Sequence, residues 1–281
     1  MRYQRMKFNK ILKELDSEEK AMLWVWLAKF DGKTFICPEC KHEDFYQHKK
    51  NPEIRECKSC HMHVRLRANT IFQSSKLPML TWLKAICFIT QGKRGVSAYE
   101  LQSELEMKSY GTAWAMLHKI REALRQRDEG YKLNDVIELD GAIFGKRQTG
   151  NQTGVLVAVE TKDWVDSKGH PKSKAGFAKV IVANETKKDA QEFVDKAIQP
   201  GSLVNTDGSP SLRDLKNIDV DYQVMGNNQD DVIDHWLPWV HKFISNAKTW
   251  IAGTHHGVES QYLGQYLAEY TFRFNRRHDP D

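Results

Sequence analysis

The chain reads as an α/β protein: a mixed sheet flanked by helices, preceded by a small cysteine-rich module and a helix-turn-helix. Three observations predict this. Four cysteines stand in two tight pairs, Cys37-Pro38-Glu39-Cys40 and Cys57-Lys58-Ser59-Cys60. A short helical pattern, a turn and a longer helical pattern follow them. After Gly130 the apolar spacing changes to compact runs of Val, Ile and Leu that alternate with further helical segments.

The elements can be justified in order. A helical segment fills residues 1–35. Asp16-Ser17-Glu18-Glu19 starts its helix, with Asp16 and Glu19 at capping-box spacing. Met22, Leu23, Trp26, Leu27 and Phe30 form the apolar face, and Asp31-Gly32 stops it. The cysteine module occupies 36–70. A tetrahedral Zn²⁺ takes four thiolates, and each C-x2-C turn sets two sulfurs on one side of the metal. The sixteen residues between the pairs suffice for a hairpin that closes the cage. A redox dithiol is the other use of such a pair. With four protein thiolates no coordination position stays open, so the zinc would be structural. Val64 and Leu66 alternate with Arg65 and Arg67 as in a strand.

Residues 76–130 carry the helix-turn-helix pattern. Pro78 opens a helix with Trp82, Ile86 and Ile89 on its face, and Cys87 within it reads as an inert core thiol. Gly92-Lys93-Arg94-Gly95 breaks it. Ser97 caps a short helix to Leu105, and a turn around Met107–Ser109 leads to a longer helix from Tyr110 to Arg127. Lys119, Arg121 and Arg125 read as exposed cations for DNA phosphates. Two helices with a short link are also ordinary packing.

Residues 131–281 form the mixed α/β part. Strands are expected at 136–140, 155–159, 178–183, 202–206 and 222–224, and helices at 187–198, 236–250 and 262–274. The 160–176 stretch, with Lys162, Lys168, Lys172 and Lys174, reads as an exposed hairpin turn. Asp140 interrupts an apolar strand and Asp207 ends another before Gly208. A carboxylate at the rim of an apolar sheet is costly unless paired or metal-bound. Two sharing a site repel, and a divalent cation relieves this. Asp before Gly is also a common turn pair.

Bulk numbers set the limits. The chain has 281 residues, 40% hydrophobic and 28% charged, as in soluble globular proteins. No apolar run approaches the roughly 20 residues of a membrane span. The basic N-terminus lacks the apolar core of a secretion signal. Zinc-type cysteine spacing without such a signal points to the cytoplasm. The net charge of +5 is concentrated in residues 61–127 and in Arg273, Arg276 and Arg277.

Taken together, these motifs resemble the DDE-type transposases of bacterial insertion sequences, the ISXO2-like superfamily, in the subgroup with an N-terminal zinc ribbon. The resemblance covers nearly the whole chain. It is carried by the cysteine pairs, Ala113-Trp114, Val136 to Asp140 with Gly145, Thr206-Asp207-Gly208, Pro238-Trp239-Val240-His241, Ile244-Ser245-Asn246 with Lys248, and Gly253-Thr254-His255-His256-Gly257. Tyr266-Leu267 with Glu269, and Arg273-Phe274-Asn275-Arg276-Arg277, complete it. It implies a ribonuclease-H-like catalytic domain over 131–281. It also implies Mg²⁺ or Mn²⁺ as catalytic cofactor, and double-stranded DNA as partner, both element ends and target. A homodimer or higher oligomer on that DNA, associated with the bacterial nucleoid, is implied as well. Such enzymes carry a third acidic residue on a helix after the fifth strand, with a basic residue seven positions on. Here those positions are His241 and Lys248. Imidazole suits Mn²⁺ or Zn²⁺ better than Mg²⁺. Glu259, in a loop-like stretch, is the rival third ligand. Two functional readings follow: an enzyme that cleaves and joins DNA at element ends, or an inactive descendant that only binds DNA.

Overall fold

The computed structural model describes residues 13–91, 94–145, 152–165, 168–223 and 236–277. The first twelve residues, Gly92 and Lys93 of the expected helix break, Asp166 and Ser167 of the expected hairpin turn, Val224 of the expected fifth strand and the last four residues lie outside them. The chain divides into two compact units. One holds the described residues up to 91 together with Ala98–Ile120, and the other holds residues 94–97 and those from Arg121 onward.

The first unit begins with α1 (Glu18–Lys29). Its N-cap is Ser17, not Asp16: the Ser17 hydroxyl accepts from the Lys20 backbone N–H at 3.3 Å. Asp16 stands one residue too early for that role and pairs with the Lys20 side chain at 2.7 Å. Three short antiparallel strands follow, β1 (Phe45–Gln47), β2 (Ile54–Cys57) and β3 (His63–Arg65). Then come α2 (Met79–Gln91), α3 (Ala98–Glu104) and α4 (Tyr110–Asp128). Glu18 ties α1 to α2, its two oxygens accepting from the Met79 and Leu80 backbone N–H groups at 2.6 and 2.9 Å. A carboxylate there satisfies donors that a helix start leaves open. The core of this unit includes Trp26, Phe35, Leu66, Met79, Trp82, Leu101 and Leu117. Ala113, Met116, Leu117 and Ile120 are buried at helical spacing on α4. That helix continues past Ile120 into the second unit.

The second unit is built on a five-stranded mixed sheet in the order β6-β5-β4-β7-β8. Its strands are β4 (Val136–Phe144), β5 (Thr153–Val165), β6 (Pro171–Val182), β7 (Leu203–Thr206) and β8 (Asp219–Tyr222). The first three form an antiparallel meander, and β7 joins β4 in parallel, as β8 joins β7. Helix α5 (Lys187–Ala197) covers one face through Ala190, Phe193 and Val194, packed with Ile137, Leu139, Leu156 and Val204. Helices α6 (Pro238–His255) and α7 (Ser260–Asn275) cover the other through Val240, Phe243, Leu263 and Leu267, packed with Val155, Val157 and Val159. Residues 155–159 of β5 are thus buried on both faces, which explains their unbroken apolar run.

Several boundaries differ from expectation. Most of the 160–176 stretch is strand, and the turn is shorter than expected: β5 runs on to Val165 and β6 starts at Pro171, so polar side chains continue the ladder past the apolar core. Strand β8 lies at 219–222, earlier than expected. Helix α6 starts at Pro238 and runs on to His255, where His256 in the left-handed region (φ 56°) and Gly257 end it. Among the described residues no helix is long and apolar enough to cross a membrane.

Candidate active site and metal centre

The four cysteines converge on two matching turns. The Cys37 N–H donates to the His42 carbonyl at 2.9 Å, and the Cys57 N–H donates to that of Met62 at 2.9 Å. The residue after each second cysteine, Lys41 or His61, takes a left-handed φ of 63° or 59°. Sulfur separations are 3.5 Å for Cys37–Cys60, 3.5 Å for Cys40–Cys57 and 3.4 Å for Cys40–Cys60. A tetrahedron with Zn–S bonds of about 2.3 Å has edges of roughly 3.8 Å, so the donor set fits a four-thiolate metal. Among the described residues this is the one group of three or more His, Cys, Asp or Glu with ligand atoms all within 4.8 Å of one another. Cys87, on α2, stands apart, and burial pushes its thiol up to about 11.

The acidic site lies at the rim of the larger sheet. Alternation along β4 sends Ile137 and Leu139 to the α5 face and leaves Glu138, Asp140 and Phe144 toward α6. The last pair of β4 with β7 is Glu138 with Asn205; Asp140 lies two residues further along β4, and Asp207 two residues beyond Asn205, just past the end of β7. The Asp140 carboxylate, 14% exposed, stands 3.3 Å from Nε2 of His241, which is 26% exposed. Asp207 begins a tight turn: its Oδ1 accepts from the Ser209 N–H at 2.9 Å, and Gly208 takes φ 75°, where a side chain would be strained. The Arg213 guanidinium donates to the Gly208 carbonyl and steadies this turn. Among the described residues, Asp140, Asp207 and His241 are not a compact ligand cluster of the kind the four cysteines form. Lys248, two helical turns beyond His241, is exposed, with its Nζ 5.6 Å from the centre of the Phe144 ring. Glu259 is the exposed N-cap residue of α7 and accepts from the Gln261 side chain at 2.7 Å.

Two carboxylates that sequence reasoning passed over shape this rim. Glu138 is buried, and one of its oxygens accepts from the Trp239 and Val240 N–H groups at 2.7 and 2.8 Å. The other accepts from the Thr161 hydroxyl at 2.9 Å. It therefore pins the start of α6, and with it His241, to the strand that carries Asp140. Burial raises its carboxyl above the usual range against the pull of these hydrogen bonds. Glu185, after β6, accepts from the hydroxyls of Ser209 and Ser211, the latter at 2.8 Å. It also fills the space beside Gly141, where an added Cβ would collide with its Oε2. The available signal was an acid in an apolar strand for Glu138, and a glycine directly after Asp140 for Glu185.

The expected DNA-binding trio separates. Lys119 remains exposed and donates to the Gln73 carbonyl at 2.7 Å. Arg125 is held between Glu122 and Glu129, each at 2.7 Å. The expectation that Arg121 is exposed is corrected: its side chain is 0% exposed, 2.7 Å from the Glu269 carboxylate and stacked 3.8 Å over the Tyr266 ring. Arg121 follows Ile120 on the buried side of α4, so packing and not solvent receives it.

Residues 132–275 match the ISXO2-like transposase domain. The chain belongs to this family. The matched stretch spans the whole five-stranded sheet and holds Asp140, Asp207, His241 and Lys248. No curated protein matches the chain. Among solved structures, a chain of the simian T-cell lymphotropic virus intasome, determined in complex with PP2A regulatory subunit B56 gamma, is similar over 66% of this chain and 74% of its own. The identity there is 14% and the TM-score 0.26, too low to bear on fold or function.

Proposed function

We propose that this protein is a DNA transposase that binds the terminal inverted repeats of an insertion sequence, cleaves at the ends and joins them to target DNA on a ribonuclease-H-like domain. The observation that carries the reading is the meeting of Asp140 and His241 beside the sheet, with Asp207 just past the end of the neighbouring parallel strand, inside the family's matched segment. Asp140 and Asp207 offer hard oxygen donors and His241 a ring nitrogen, a set suited to Mg²⁺ or Mn²⁺. A divalent cation, when bound, supplies charge stabilisation for in-line phosphoryl transfer. Lys248, exposed on the same helix side as His241, offers a point charge to a DNA phosphate. Glu138 and Glu185 keep the helix and the turn in register. The α3–α4 pair with Lys119 and the zinc-folded ribbon supply DNA contacts, and the partner is duplex DNA, bound by a dimer or larger assembly.

A second reading has one specific observation behind it. The third acidic position is His241, and its Nε2 already faces Asp140 Oδ2. That pairing suits a descendant that binds DNA without cutting it. Purified protein incubated with its own element ends and Mg²⁺, then Mn²⁺, separates the two. Nicked and joined products are expected, whereas stable binding with no product under either ion favours the binder.

A further inference from the structure

Strands β5 and β6 run on beyond the rest of their sheet. The last pair of β4 with β5 is Val136 with Thr161, yet β5 and β6 continue as Lys162 with Lys174, Asp163 with Ser173, Trp164 with Lys172 and Val165 with Pro171. Directly paired residues point to the same face. One face of this two-stranded ribbon therefore carries Lys162, Trp164, Lys172 and Lys174, and the other carries Asp163 and Ser173. The second face has a neighbour, since the Ser173 hydroxyl accepts from Trp239 Nε1 at 3.2 Å. The first face is exposed: Trp164 is 47% accessible, and Phe177 at its base, 44% accessible, lies 5.8 Å from Lys162 Nζ.

This face is expensive for the isolated molecule. A two-stranded ribbon is marginal in water. Lysines directly opposite each other repel, and among the described residues only Lys162 of the four reaches a carboxylate, Glu160 at 3.6 Å. A large ring left in water forfeits burial. A polyanion laid across the lysines, with sugar edges against the rings, removes all three penalties. We propose that the Lys162–Trp164–Lys172–Lys174 face is a DNA-binding surface that grips the phosphate backbone without reading sequence. The choice of DNA over an acidic protein rests on the transposase reading above.

The test measures the affinity of the full chain for a duplex of the element end and for an unrelated duplex of equal length, across a salt series. Each phosphate contact contributes about 0.9 to the slope of log K against log salt. Lys172→Ala with Lys174→Ala is expected to flatten that slope by roughly 1.8 on both duplexes. Lys188→Ala with Lys216→Ala, which removes the same charge from exposed sites elsewhere, is expected to change it far less. Trp164→Ala should weaken binding on both duplexes with the slope unchanged, because no charge is lost. Thermal melting of each variant checks that the fold is kept. An unchanged slope in the ribbon double variant, an equal loss in the control pair, or a loss confined to the element-end duplex would overturn the proposal. This readout does not involve cleavage, so a protein that binds through the ribbon but never cuts refutes the enzyme reading alone.

Discussion

At the scale of single residues, Glu138 decides where His241 stands. Its carboxylate accepts the first two backbone N–H groups at the start of α6 and does so from the strand that bears Asp140. Glu138→Ala leaves those donors buried and unpaired, so unfolding free energy should fall by roughly 3 kcal/mol in a denaturant titration. His241→Glu puts a hard ligand at the third position, and Mg²⁺-dependent cleavage should be kept or raised relative to the parent, measured on element-end DNA. A complete loss of cleavage in that variant would show that imidazole itself is required. Asp140 and Asp207 stood out in the sequence because one interrupts an apolar strand and the other ends a strand. Glu138 sends the same signal two residues earlier, but its partner is a helix a hundred positions on, and nothing local in the sequence marks that bond. Arg121 was misread for the converse reason: its helical position alone does not reveal Glu269, 148 residues away.

At the scale of elements, two packing units invite separate tests. The ribbon turns bring four sulfurs within bonding reach of one ion, and structural zinc typically contributes on the order of 10 kcal/mol to the folding of such modules. Elemental analysis should find one zinc per chain, and chelation or Cys40→Ser should abolish the ribbon's thermal transition; folded, zinc-free protein would refute this. The α6–α7 seam holds His255 against Trp250 and Tyr266, with ring centroids 4.7 Å away in each case. Burial, aided by Arg121 and Arg273, drives its imidazole down to about 3. The folded state therefore binds fewer protons than the unfolded chain between that value and about 6.5, and stability falls as pH drops through this window. The loss should be on the order of 5 kcal/mol, and His255→Phe, which keeps an aromatic ring and removes the titration, should flatten the pH dependence of unfolding. Most of these elements were legible from spacing: α2 to α4 and the central strands follow apolar period and start signals. The ribbon half of β5 and β6 was not, because lysines, Asp163 and Ser173 outnumber its apolar residues, and such a mix shows no buried face of period two.

At the scale of the whole molecule, the two compact units hold different chemistry: a four-thiolate ribbon and helical pair in one, and the family's five-stranded sheet with its acidic rim in the other. The family match begins at residue 132, so the assignment of the preceding modules to DNA binding rests on their residues alone. Asp140 lies within β4 just past its last pair with β7, and Asp207 follows the end of β7, while the lysine-lined ribbon projects from the same sheet's β5 and β6. On the transposase reading proposed above, the rim of that sheet cuts DNA. Asp140→Asn and Asp207→Asn, each compared with the parent for cleavage of its own element ends in Mg²⁺ and Mn²⁺ and for binding to the same DNA, test it most directly. The expected result is that both variants bind the ends as the parent does and cut neither strand; two variants that cut as well as the parent would contradict it.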